Sequence, residues 1–103
     1  MKSPTALTLE RLERGGFLCD VVERRITRIV TKDLFGILDI VAVKEGETFG
    51  VQCTSRSNVS ARVRKIKASP HLSRLREAGW RILVHGWDKG PDKQPRLRVV
   101  VVE

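Results

Sequence analysis

Residues 35–55, FGILDIVAVKEGETFGVQCTS, decide how the chain is read. Two apolar runs flank KEGE, and Gly46 can supply the positive φ of a tight turn, so strands are expected over 36–44 and 48–54. A turn on Glu45 and Gly46 sets Lys44 against Glu47, and the pairing then runs on to Asp39 against Gln52. Directly opposed side chains share a face, with Cβ atoms ~4.5–5.5 Å apart. The two-residue period adds Thr54 to that face. A bulge at Gly46 would shift the pairing by one and part Asp39 from Gln52. The simplest register therefore collects Asp39, Gln52 and Thr54 where a buried strand would carry Val or Ile.

A buried carboxylate needs a partner, because even a neutral polar group left unpaired costs ~1–3 kcal/mol and an ion more. One candidate is Mg²⁺, a hard cation that the Asp39 carboxylate, the Gln52 side-chain carbonyl and the Cys53 main-chain carbonyl could ligate. The others are a hydrogen bond from Gln52 and an ion pair with Arg62 or Lys65. Spacing leaves all of these open.

Outward from the hairpin, TALTLERLERGG (5–16) reads as a helix with Thr5 or Thr8 as its cap, Leu9 and Leu12 on one face and Gly15 or Gly16 as its stop. Glu13 falls beside Leu9 and is the acid expected to face the protein, with Glu10 further round. FLCDVVERRI looks like a strand, and its continuation RRITRIV is either an extended edge or a second short strand. After Ser57 the apolar period changes to Val59, Val63 and Ile66, with Arg62, Arg64, Lys65 and Lys67 on other faces: a basic amphipathic helix. In SPHLSRLREAG, Ser69 is the expected N-cap and Pro70 the first helical residue, with Leu72 and Leu75 inward and Gly79 as the stop. WRILVHGW and RLRVVVVE are strands joined by the polar loop DKGPDKQP. The expected fold class is α/β, a central mixed sheet flanked by helices in the order αβββααββ, as one domain over residues 1–103.

Twenty Lys and Arg against twelve Asp and Glu give a net charge of +8, a field that attracts polyanions and makes nucleic acid the expected partner. The first ten residues have no apolar signal-peptide core and no run of 18 apolar residues exists, so a cytoplasmic protein without a membrane partner is expected. Cys19 and Cys53 have no metal-ligand spacing and read as small core residues. His85, alone on a strand, reads as structural; Trp80 is expected in the core and Trp87, beside the polar loop, at the surface.

The helix with an acid, GILDIVAV, the hairpin into FGVQCTS and the basic helix together resemble the PD-(D/E)XK nuclease superfamily. Within it they are similar to small Holliday-junction-resolvase-like, mostly phage-type members, through DLFG (33–36), Asp39, VQCTS (51–55), Ser57–Asn58, Arg62 and Lys65. The resemblance implies a restriction-endonuclease-like core and a Mg²⁺- or Mn²⁺-dependent DNA endonuclease, working as a homodimer on possibly branched DNA. It assigns the first metal-binding acid to Asp39 and the motif tripeptide to Gln52, Cys53 and Thr54, so Gln52 stands where a carboxylate is usual and Thr54 where a lysine is. Lys65, or Arg62 one turn earlier, then takes the role of the missing cation, and Glu13 or Glu10 that of the first-helix acid. Asp33 is a further nearby carboxylate. Asn58, Arg62, Arg64, Lys65 and Lys67 are expected on the DNA. The alternative is a nuclease fold without catalysis, kept as a DNA-binding or protein-interaction module.

Overall fold

Glu45 and Gly46 both take left-handed φ, 51° and 79°, and close a two-residue turn between β4 (Ile40–Lys44) and β5 (Glu47–Ser55). Lys44 pairs with Glu47 and Ile40 with Val51, the register without a bulge. The computed structural model describes all residues 1–103. Helix α1 (Pro4–Arg14) comes first, capped not by Thr5 or Thr8, which lie inside it, but by Ser3, whose Oγ accepts from the Ala6 N–H; it leads into β1 (Leu18–Val21) beside β4. A separate ribbon, β2 (Arg24–Arg25) with β3 (Thr31–Lys32), accounts for the RRITRIV stretch. Strand β4 starts later than its apolar run: Phe35 and Gly36 are left-handed, and Leu34 and Leu38 bridge across that turn.

After β5 the chain crosses over through α2 (Val59–Lys67) and α3 (Leu72–Glu77) into β6 (Trp80–Lys89), which lies parallel to β5. A parallel pair cannot be joined by a tight turn, and the two helices are that connection. Strand β7 (Pro95–Val102) returns antiparallel along β6, giving one five-stranded mixed sheet in the order β1-β4-β5-β6-β7. No helix is long and apolar enough to cross a membrane.

Alternation along the strands divides the core in two. Leu12 of α1 packs on Ile40, Ala42 and Val51, while Val59, Ile66, Leu72 and Leu75 pack on Leu38, Ile82, Val84 and Val102 across the sheet. The second helix of the crossover differs at its start from the sequence expectation. Ser69 and Pro70 lie in the turn before α3, with Ser69 Oγ accepting from the His71 N–H, and the helix begins only at Leu72.

Trp87 is buried, contrary to expectation, because β6 continues past it and its indole Nε1–H donates to Thr8 Oγ1 at 2.9 Å beneath α1. Thr8 Oγ1 also lies 3.2 Å from His85 Nδ1. The indole is only a donor, so the Thr8 hydroxyl accepts from it and is free to donate to Nδ1 of a neutral imidazole. Burial, reinforced by the charge of Arg11, pushes the His85 pKa down to about 4, so the ring is neutral at pH 7 and can accept from Thr8. Thr8→Val keeps the shape but strands both partners, and is expected to destabilise the chain by about 2–4 kcal/mol, measured by urea unfolding at neutral pH.

Candidate metal centre

The carboxylates of Glu23, Asp33 and Asp39 converge, each offering an oxygen within 4.8 Å of the others. Three segments deliver them. Glu23 follows β1 and Asp33 follows β3, so the ribbon whose first pair is Arg24 with Lys32 brings them together at its root. Asp39 sits one residue before β4. Its N–H donates to the Val51 carbonyl at 2.9 Å, and its own carbonyl accepts from the Val22 N–H, so the backbone fixes its position on both sides.

Asp39 is 4% exposed, and its Oδ2 accepts from Gln52 Nε2 at 2.6 Å and from the Cys53 N–H at 2.7 Å. Gln52 Nε2 reaches Asp33 Oδ2 as well, at 3.3 Å. Desolvation pushes the Asp39 carboxyl up to about 6; the Asp33 charge adds to the rise, and the donors from Cys53 and Gln52 oppose it. The other half of the amide, Gln52 Oε1, is buried without a partner. That orphan oxygen has a physical reason. Clustered carboxylates demand donors, so the amide turns its NH₂ toward them; turned over, it would present a third type of oxygen to the cluster, which only a cation there would favour.

The cluster opens into a cleft of about 440 Å³, which Thr5, Lys65 and Arg62 also line. Lys65 Nζ lies 3.9 Å from Asp33 Oδ2, so the α2 cation meets Asp33 and not Asp39. Arg62 and Lys65, three residues apart on α2, share the face toward the cleft.

The residues singled out from sequence fall into two groups. Asp39, Gln52, Lys65 and Arg62 come together in the cleft, joined by Cys53. The Cys53 main chain meets Asp39 through its N–H, a donor, and burial pushes its thiol up to about 12, which removes a thiolate ligand. Glu13 is exposed and does not reach the cleft, and Glu10 instead pairs with Lys2. The buried stripe of α1 is Leu7, Thr8 and Leu12, so the helix turns Thr5 toward the cleft and its acids away. Thr54 is buried one step further along β5 and does not line the cleft. Asn58, Arg64 and Lys67 are exposed outside it. Glu23 was missed. Its signal was the ribbon register: once Arg24 pairs with Lys32, the next pair outward is Glu23 with Asp33.

No family model, no curated protein and no solved structure matches the chain. Fold and site by themselves define an α/β domain whose sheet carries an acidic cleft able to hold a metal ion, edged by two cations of the crossover helix.

Proposed function

We propose that the protein is a small metal-dependent DNA endonuclease of the PD-(D/E)XK type with a restriction-endonuclease-like core, cutting branched DNA as a homodimer that supplies two sites. The observation that carries this reading is the convergence of Glu23, Asp33 and Asp39 inside a chain of net charge +8. The surface attracts phosphates, yet the cleft repels them unless a cation intervenes, and that combination suits a site where metal and polyanion meet. The donor set is all oxygen, which fits Mg²⁺ or Mn²⁺.

Asp39, Asp33 and Glu23 would hold the cation, which when bound supplies Lewis acidity toward a phosphoryl oxygen and a more acidic water. Lys65, free to leave its 3.9 Å contact with Asp33, and Arg62 stabilise the negative charge that develops on the phosphate. Exposed Arg64, Lys67 and Asn58 hold the flanking backbone, contacts that weaken with salt and read no sequence.

A second reading, the inactive nuclease-fold module, draws on Gln52: its amide already satisfies two of the three carboxylates. Incubation with junction, flap, single-stranded and duplex DNA in Mg²⁺ or Mn²⁺ separates the two. The nuclease reading expects metal-dependent cuts, slowed ~10²–10³-fold in Lys65→Ala. Salt-sensitive binding without cutting in either metal supports the module instead, and absence of any binding at low salt defeats both.

A further inference from the structure

The β2–β3 ribbon has no part in the main sheet. Its nine residues, Arg24 to Lys32, are all exposed, and they include four cations and no acid. The tip is a built turn: the Ile26 and Thr27 N–H groups donate to the Val30 carbonyl at 2.9 and 3.1 Å, and Thr27 Oγ1 accepts from the Val30 N–H at 3.0 Å. That turn holds Ile29 outward at 92% exposure, with Ile26 at 49% and Val30 at 47% beside it. A large aliphatic side chain held in water by an ordered turn, in a ribbon that carries four cations and no acid, calls for a partner that is anionic outside and apolar within. Duplex DNA has that arrangement, phosphates lining a groove whose floor is stacked bases. Its grooves admit a two-stranded ribbon, and aliphatic side chains can wedge between base steps.

We propose that residues 24–32 are an arm that enters a groove of duplex DNA, with Arg24, Arg25, Arg28 and Lys32 on the phosphates and Ile29 wedged into a base step. The root of the arm is Glu23 and Asp33, so the strand it grips is presented to the acidic cleft. The inference deepens the nuclease reading, on which it rests for that purpose, and it names the substrate class: duplex DNA with a weakly stacked step, as at a nick, a mismatch or a branch.

The test measures binding of the full chain, in EDTA so that nothing is cut, to duplexes with 2-aminopurine at a nicked or an intact step. Wild type is expected to raise the fluorescence at the nicked step, and Ile29→Ala, a surface change at the tip, to bind without that rise. Arg25→Ala combined with Arg28→Ala is expected to flatten the log–log salt dependence of binding by about 1.8. Unchanged fluorescence in Ile29→Ala, or an unchanged salt slope in the double variant, overturns the arm. So does binding to phosphatidylserine vesicles through Ile29 with none to duplex DNA. The nuclease reading fails separately: if these signatures hold but Mn²⁺ never brings cleavage, the arm stands as a DNA-binding device; if cleavage occurs with variants indistinguishable from wild type, only the arm falls.

Discussion

On the nuclease reading proposed above, Asp39→Asn is expected to slow metal-dependent cleavage about 10³-fold and, in the same protein, to raise the melting temperature at pH 8. The loss follows from removing the most enclosed carboxylate of the cluster: forfeiting about 4 kcal/mol of charge stabilisation slows cleavage about 10³-fold. The gain has a separate origin. The Asp39 carboxyl sits at about 6 in the fold against an ordinary 3.8, so the folded chain prefers its protonated form. Its contribution to stability is fullest below pH 3.8, is lost as pH rises through 6, and leaves a constant cost above that. Two pKa units correspond to roughly 3 kcal/mol, and about 2 kcal/mol after allowing for screening by water in the cleft. An Asn carbonyl can keep both hydrogen bonds that Oδ2 now accepts, so the variant is relieved of the charge alone. A rise on the order of 10 °C at pH 8 follows for a domain of this size, shrinking to little at pH 4. His85 has the opposite sign: its pKa, lowered from 6.5 to about 4, gives a contribution that is complete above pH 6.5 and lost as pH falls through 4. The two slopes oppose each other in wild type. Thermal melts of Asp39→Asn between pH 4 and 6.5 should therefore show stronger acid lability than wild type.

Gly86→Ala should be the most damaging single methyl in the molecule. Gly86 lies in β6 where the chain leaving β5 crosses it, and an added Cβ would overlap Val59 Cγ2 and stand 3.0 Å from Arg56 Cα and 3.2 Å from the Ser55 carbonyl oxygen. Two of those three neighbours are backbone, which cannot rotate away as a side chain would. The expected loss is about 3 kcal/mol, lowering the melting temperature by more than ~10 °C. Function should suffer beyond the stability loss, because the segment displaced is the entry to α2, which carries Arg62 and Lys65 over the cleft. Equal melting curves for Gly86→Ala and wild type would mean that the crossover does not pack this closely.

What could be read from the sequence was whatever local periodicity controls. The turn at Glu45–Gly46 determines the β4–β5 register, and with it the meeting of Asp39 and Gln52. The α2 stripe, with Val59 and Ile66 fully buried, follows from its spacing in the same way. The rest depends on contacts between segments. Leu9 and Leu12 point a hydrophobic wheel toward Glu13, but the buried face is Leu7, Thr8 and Leu12, and the polar Thr8, invisible to such a wheel, turns that face away from Glu13. RRITRIV reads locally as an extended edge or a short strand, and only its folding back as a ribbon carries Glu23 to Asp33. The loop beside Trp87 points to the surface, but the indole's partner is Thr8 on α1, remote in sequence.

The chemistry proposed for the cleft depends on Glu23, Asp33 and Asp39 forming one divalent-cation site. Titration of the full chain with Mn²⁺, followed by the electron paramagnetic resonance signal of the free ion, tests it most directly. One Mn²⁺ per chain is expected, with affinity at least tenfold weaker in Glu23→Gln and unchanged in Glu13→Gln. Binding that ignores Glu23→Gln but is lost in Glu13→Gln, or no binding by the wild-type chain, would rule that site out.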